Sequence, residues 1–277
     1  MKTGTLTGTL TTSIAAAVIV TAGLSGCTAG ASVGKKAADS AETLVATLAK
    51  ASDEAAEAGS AEVLMSVATP DTGGKPVEMK GTYSWGNGLA LEAEMPAESL
   101  RMQDLVADGT ITYRLVQGAY YYNIDPAPSG PLKGKTWLKV EASAVLGEQG
   151  AAGMNAGNGD PTAGLKSLKW ASGVTKVGRE DVNGKSSVHY HATVPVDRLG
   201  DAKAMFGAVA GSSATELVSD IWVDDTGMPS RLNQTVGDVT VNLDFLSFGV
   251  TKDIPAPPAA DTADVTEDVK KGRAAQG

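Results

Sequence analysis

Gly173 to Val196 reads GVTKVGREDVNGKSSVHYHATVPV, and this stretch decides the fold. Val188, Tyr190, Ala192 and Val194 alternate with His189, His191 and Thr193, the two-residue period of a strand with one apolar and one wet face. Asn183-Gly184 is the dipeptide that a two-residue hairpin turn prefers, since both positions need positive φ. The stretch therefore predicts an antiparallel hairpin.

The same period recurs on both sides of it. Upstream, Val77, Met79, Gly81, Tyr83 and Trp85 oppose Glu78, Lys80, Thr82 and Ser84, and a Gly86-Asn87-Gly88 turn leads into Leu89, Leu91, Ala93 and Met95. Ile111, Tyr113 and Leu115 follow, then Tyr120, Tyr122 and Ile124, then TWLKV. Downstream come ELVSDIWVDD, PSRLNQTV and DVTVNLDFLSF, the last with Val239, Val241, Leu243 and Phe245 on one face. This amounts to about nine or ten antiparallel strands, and a sheet that wide curls. Helical period appears at ADSAETLVATLAKASDEAAEAG, with Asp39 or Ser40 as N-cap, Leu44, Val45, Leu48 and Ala55 on one face and Gly59 as the stop. A second helix is expected over VDRLGDAKAMFGAVAG. Residues 147–164 carry too many glycines for regular structure and read as a long loop.

The first residues set the location. The apolar run Ser13 to Leu24 is too short for a bilayer span, which needs roughly 20 residues, and has the layout of a secretory signal. It runs into Leu24-Ser25-Gly26-Cys27, which resembles a bacterial lipobox, and Cys27 is the chain's single cysteine. Such a cysteine is lipidated and becomes the mature N-terminus. Two acyl chains suffice for stable anchoring. The expected organisation is a lipoprotein signal peptide over 1–26, a lipidated flexible tether over 27–37, one domain over 38–258 and a flexible acidic tail over 259–277. The expected location is the outer face of the cell membrane.

Composition narrows the function. The net charge of −9 without basic clusters argues against nucleic acid as a partner. His189 and His191 share a strand face, as some metal sites require, but no other histidine exists and any further ligand would be a carboxylate; a solvated strand face is the ordinary reading, and no metal or cofactor is expected. Asp71-Thr72-Gly73 and Asp225-Thr226-Gly227 match the tripeptide of aspartic proteases, yet they sit between strands, where Asp and Gly make turns. There is no nucleophile elbow, and both histidines lie off the apolar face, so no catalytic residue is assigned and an enzyme is not expected. Aromatics are 5% of the chain, so a large one-faced sheet either underfills its core or encloses a cavity; Met65, Met79, Met95, Met102, Met154 and Met205 either fill gaps in the core or give that cavity an adaptable lining, and the low aromatic count favours the lining.

VTKVGREDVNGKSSVHYHATV, DIWVDDTGMPSRL, AYYYNID and TWLKV, all behind a lipobox, resemble the actinobacterial LppX/LprG-type lipoproteins, relatives of LolA-like carriers. The resemblance implies an α+β fold: a strongly curved antiparallel half-barrel with helices on its concave face and an apolar pocket for acyl chains. The candidate lining is Val63, Met65, Met79, Tyr83, Leu89, Leu91, Tyr113, Leu115, Val188, Tyr190, Met205, Phe206, Val241, Leu243 and Phe245. The expected partners are a lipid or glycolipid such as a palmitate-bearing one, the membrane through the diacylglyceryl anchor, and a transporter or envelope protein; the expected state is a monomer. The alternative is a non-catalytic interaction or sensor module with a closed core.

Overall fold

In the computed structural model, which describes residues 40–70, 73–154, 159–171, 173–199, 203, 214–250 and 253–274, the first strand of the chain becomes a middle strand of its sheet. From β1 (Ser60–Ala68) an antiparallel meander runs through β2 (Val77–Ser84), β3 (Ala90–Pro96), β4 (Thr110–Val116), β5 (Ala119–Asn123) and β6 (Trp137–Glu141). A second meander comprises β7 (Thr175–Val182), β8 (Lys185–Pro195), β9 (Glu216–Asp224), β10 (Pro229–Val236) and β11 (Val239–Phe248). The two join where β11 returns beside β1, pairing Val63 with Phe245 and Met65 with Leu243. Each half of the sequence thus builds half of the sheet.

The hairpin that opened the reading forms as expected, with Asn183 at φ 53° and Gly184 at φ 79° between paired Val182 and Lys185. Gln117 and Gly118 repeat the device between β4 and β5, at φ 55° and 74°. The sheet curls because its strands are not evenly spaced pleats. Register shifts occur at Glu62/Val63, Lys176/Gly178 and Pro229/Arg231, and such bulges increase local twist. At Gly81 a Cβ would lie 1.9 Å from the carbonyl oxygen of Glu92, so only glycine lets β3 approach β2 this closely.

Helix α1 (Ala41–Ala58) starts at Ser40, whose Oγ accepts from the Thr43 amide at 3.3 Å, and stops at Gly59 in the left-handed conformation. It buries Leu44, Leu48, Ala51 and Ala55. With Leu165 and Leu168 of the 3-10 helix Ala163–Trp170, these side chains cover one half of the apolar face, over Val63, Tyr190, Ile221, Leu232 and Phe245. Trp85 clamps the helix end by donating Nε1–H to the Ala55 carbonyl at 3.1 Å. Fully burying each large aliphatic or aromatic side chain here contributes about 1.5–3 kcal/mol.

Two expectations need correction. The glycine-rich stretch is partly helical: α2 (Ala142–Met154) runs through it with a break at Gly147, and Gly150 and Gly153 are buried, where small size permits close packing. The expected flexible tail from residue 259 also carries structure. Ala256 packs on the opposite face of the sheet against Val116, Ala119, Tyr121 and Trp137, and Arg114 donates to the Pro255 carbonyl at 3.1 Å. The chain then adds β12 (Thr262–Asp264), parallel to β6, and α3 (Thr266–Ala274). An acidic composition reads as solvated, but the free edge of β6 offers backbone partners that composition does not reveal. Of the expected second helix, Val196–Arg198 forms a 3-10 turn, and most of the rest, with Met205 and Phe206, lies outside the described residues, as do Cys27 and Asp71. Residues from Asp39 to Gly277 form one compact unit with its own core, and no helix among the described residues is long and apolar enough to cross a membrane.

Candidate functional site

α1 and the 3-10 helix leave part of the apolar face unfilled, and there, over β1 to β5 and β9 to β11, lies a cavity of about 520 Å³ that the 3-10 helix borders. Nine of the sequence-selected residues line it: Met65, Met79, Tyr83, Leu89, Leu91, Tyr113, Leu115, Val241 and Leu243. Register explains the grouping, since directly paired residues share a face. Tyr83 pairs with Leu91, Leu91 with Leu115, Leu115 with Tyr120, and Met65 with Met79. Val63, Tyr190 and Phe245 are instead fully enclosed beneath α1, and Val188 packs against the same core. Alternation placed these four on the correct face but not under the correct half of it.

Of the opposite wall, the sequence reading names Met154 alone, among the methionines. The wall comprises Gly153 and Met154 at the end of α2, Gly159 to Pro161, and Ala163, Gly164 and Ser167 of the 3-10 helix, with Val67, Tyr120, Leu199, Leu217, Leu232 and Gln234 completing the lining. Met154 and Tyr120 carried a signal, as a gap-filling methionine and a member of the alternating tyrosine set; the glycines carried none. This wall is pinned at two points. Tyr83 Oη donates to the Gly159 carbonyl at 2.9 Å, and Ser52 Oγ of α1 donates to the Thr162 carbonyl at 2.9 Å. A Cβ at Gly159 would come within 2.5 Å of the Leu89 Cβ, so the wall presses directly on the sheet.

The interior is apolar and electrically quiet. Tyr113 stacks on Tyr120 with centroids 6.0 Å apart and lies 5.6 Å from Tyr122, and the Tyr120 hydroxyl meets Met154 Sδ at 3.7 Å. Burial raises the pKa of Tyr83, Tyr113, Tyr120 and Tyr122, so these phenols stay neutral. Among the described residues, Asp160 is the one carboxylate in the lining. Its Oδ1 accepts from the Thr162 amide at 2.7 Å and hydroxyl at 2.8 Å. Burial raises its pKa above the ordinary carboxylate value, against the opposing pull of those bonds and of Lys166. Its Oδ1 is thus engaged within the wall, and most of the lining is apolar.

The polar constellations lie elsewhere. His189 Nε2 and His191 Nδ1 both meet Asp220 Oδ1, at 2.8 and 2.9 Å, while His189 Nδ1 meets Glu180 at 3.0 Å and its ring stacks on Trp222. These contacts tie β7, β8 and β9 together across the wet face. Among the described residues no cluster of three or more His, Cys, Asp or Glu is arranged to hold a metal ion. Asp225 sits in the turn after β9 and pairs with Arg179 at 2.6 Å.

A mixed sheet of twelve described strands, open and curled and not closed into a barrel, places the protein in the LppX-like class of fold. The chain has this fold, the one its hairpins resemble. Over 78% of its length it matches the whole of the crystal structure of the Mycobacterium tuberculosis lipoprotein LppX, with a TM-score of 0.51 and 12% identity. Over 80% it matches the whole of LprF from Mycobacterium bovis, also with a TM-score of 0.51, at 14% identity. In sequence it is 28% identical over 222 residues, 73% of both chains, to an uncharacterized 31.2 kDa protein encoded between rplA and rplJ in Streptomyces griseus. It is 29% identical over 205 residues, 69% of this chain and 65% of the other, to a Streptomyces coelicolor protein named as a lipoprotein. No family model matches the chain.

Proposed function

We propose that the protein is a membrane-anchored lipoprotein of the cell envelope that holds an acyl chain of a lipid or glycolipid in this cavity, and that it carries or presents that lipid without catalysing a reaction. The observation that carries the reading is the unfilled apolar half of the sheet. A cavity of about 520 Å³ is more than three times the ~150 Å³ apolar cavity that takes one benzene, which corresponds to roughly twenty carbon atoms, or one long chain. At about 0.8 kcal/mol per methylene, a chain of about fifteen methylenes costs on the order of 12 kcal/mol to leave in water. A lining of Met, Leu, Val and neutral Tyr offsets that cost, and so does a bilayer. Exchange between the two is therefore close to neutral, as a shuttle requires. The lipobox resemblance at Leu24–Cys27 and the lipoprotein named among the relatives support the anchored, extracytoplasmic placement.

The test is titration of the Asp39–Gly277 unit with 11-(dansylamino)undecanoic acid, followed by displacement with palmitate. Saturable one-to-one binding, lost in Leu91→Arg while the fold is retained, is expected. Absence of saturable binding in the wild type would favour an interaction module with a closed core.

A further inference from the structure

Among the described residues three tyrosines line the cavity, and their hydroxyls are unequally placed. Tyr83 donates to the Gly159 carbonyl at 2.9 Å, while Tyr120 reaches only the thioether of Met154, a weak acceptor, at 3.7 Å. Tyr113 Oη has no hydrogen-bond partner among the described residues. Its ring stands at the middle of β4, paired with Ala93 of β3 and Tyr122 of β5. Burial holds its pKa well above the ordinary phenol value, and the neighbouring phenols of Tyr122, Tyr120 and Tyr83 push it the same way, so it remains a donor. Among the described residues no side-chain oxygen or nitrogen is both sealed off and unpaired, so this hydroxyl keeps accessible surface, and the space that its ring lines is the cavity.

A donor so placed discriminates between occupants. An alkyl chain lying over Tyr113 leaves the hydroxyl unsatisfied, at the desolvation cost of the group. A carbonyl oxygen satisfies it. Such an oxygen has two lone pairs, and Tyr113 stacks on Tyr120 at 26° and 6.0 Å, which sets two phenol donors side by side. Charge then decides which carbonyl. Among the described residues the lining contains no Lys, Arg or His, so an ionised carboxylate or phosphate at this depth would have no counter-charge, whereas an ester is neutral.

We infer that Tyr113, with Tyr120 beside it, donates a hydrogen bond to the carbonyl oxygen of an acyl ester, so that the cavity takes in the ester link of its lipid along with the chain. The inference rests on the lipid-carrier reading and narrows it: the ligand is an esterified lipid, and the carboxylate of a free fatty acid stays at the water side. It also gives a use to a hydroxyl that the fold itself does not employ, since phenylalanine would fill the same space.

The experiment displaces bound 11-(dansylamino)undecanoic acid from the Asp39–Gly277 unit with methyl palmitate and with nonadecane, which has the same number of heavy atoms, in the wild type and in Tyr113→Phe. Each ligand is compared between the two proteins, so its own solubility cancels. Methyl palmitate should bind Tyr113→Phe about fivefold more weakly, the ordinary net worth of one hydrogen bond, while nonadecane is held equally or more tightly. Tyr113→Phe should melt at or above the wild-type temperature because it loses no protein partner, whereas Tyr83→Phe loses its bond to Gly159 and should melt lower. With methyl palmitate isotopically labelled at its carbonyl, the C=O stretch should lie lower in the wild-type complex than in the Tyr113→Phe complex. Equal affinity of the ester for both proteins, an equal loss for ester and alkane, or no displacement by the ester from a wild type that binds the probe would overturn the inference and leave the carrier reading standing. A wild type that does not bind the probe would overturn both.

Discussion

Asp244 shows how a single polar residue can fix the position of strands in an apolar fold. Only 3% exposed, it takes a paired set of hydrogen bonds from Arg231, with Nη2 to Oδ2 at 2.6 Å, and another from Asn183 in the β7–β8 turn at 3.0 Å. Burial alone would raise its pKa, but the bonds from Arg231 and Asn183 outweigh burial and hold it below the ordinary carboxylate value of 3.8. Its contribution to stability is therefore complete above the unfolded-state pKa and is lost as pH falls through the lower folded one. Asp244→Asn should cost about 2–3 kcal/mol near neutrality, by leaving the partly buried guanidinium without a counter-charge. Melting temperatures measured from pH 7 down to pH 3 should show the gap between variant and wild type closing on acidification. Gly81 acts by the opposite means, through the absence of a side chain. Gly81→Ala should destabilise the unit by about 1–3 kcal/mol, as overpacking does, because a Cβ would meet the backbone of β3. Denaturant titration would read it, and an unchanged midpoint would mean that the sheet does not need this close approach.

At the scale of elements, periodicity revealed most of the sheet and little of what covers it. The alternation in β2, β3, β4, β5, β8 and β11, the Asn183-Gly184 turn and the Ser40-to-Gly59 helix were all legible, because each is encoded within a few neighbouring residues. Which half of the apolar face α1 would cover was not legible, since that depends on contacts between Leu48 and strands nearly 200 residues away. Hence Val63 and Phe245, identical in pattern to Met65 and Leu243, are enclosed in the packed core, while the latter pair stands where that core borders the cavity and also lines it. The inner wall was illegible for a different reason: glycine at 153, 159 and 164 contributes backbone and shape without a hydrophobic signature. That wall should behave as a clasp. Tyr83→Phe removes the bond to Gly159 and should cost about 1 kcal/mol, accelerating release of the dansyl probe about fivefold with little effect on its association. Stopped-flow displacement would measure this, and an unchanged release rate would place the exit path elsewhere.

The Asp39–Gly277 unit is a sheet whose apolar face is only partly filled. A chain with 5% aromatics closes a conventional core where α1 lies and leaves the rest of the apolar surface facing a thin wall of glycine, methionine and serine. Two meanders joined through β1 and β11 make the shell wide enough to curl, and the C-terminal segment covers the β6 edge that would otherwise invite other strands. The charge pattern fits the same division: the wet face is tied by His189, Asp220, Arg231 and Asp244, while among the described residues the cavity's lining holds a single carboxylate, bonded to Thr162 two residues on. The most direct test of the account is native mass spectrometry of the Asp39–Gly277 unit, produced in a related host and purified without detergent, with solvent extraction of whatever accompanies it. The account predicts one extractable acyl lipid per protein, missing from Leu91→Arg. A bare protein mass that stays unchanged after incubation with envelope lipids would contradict it.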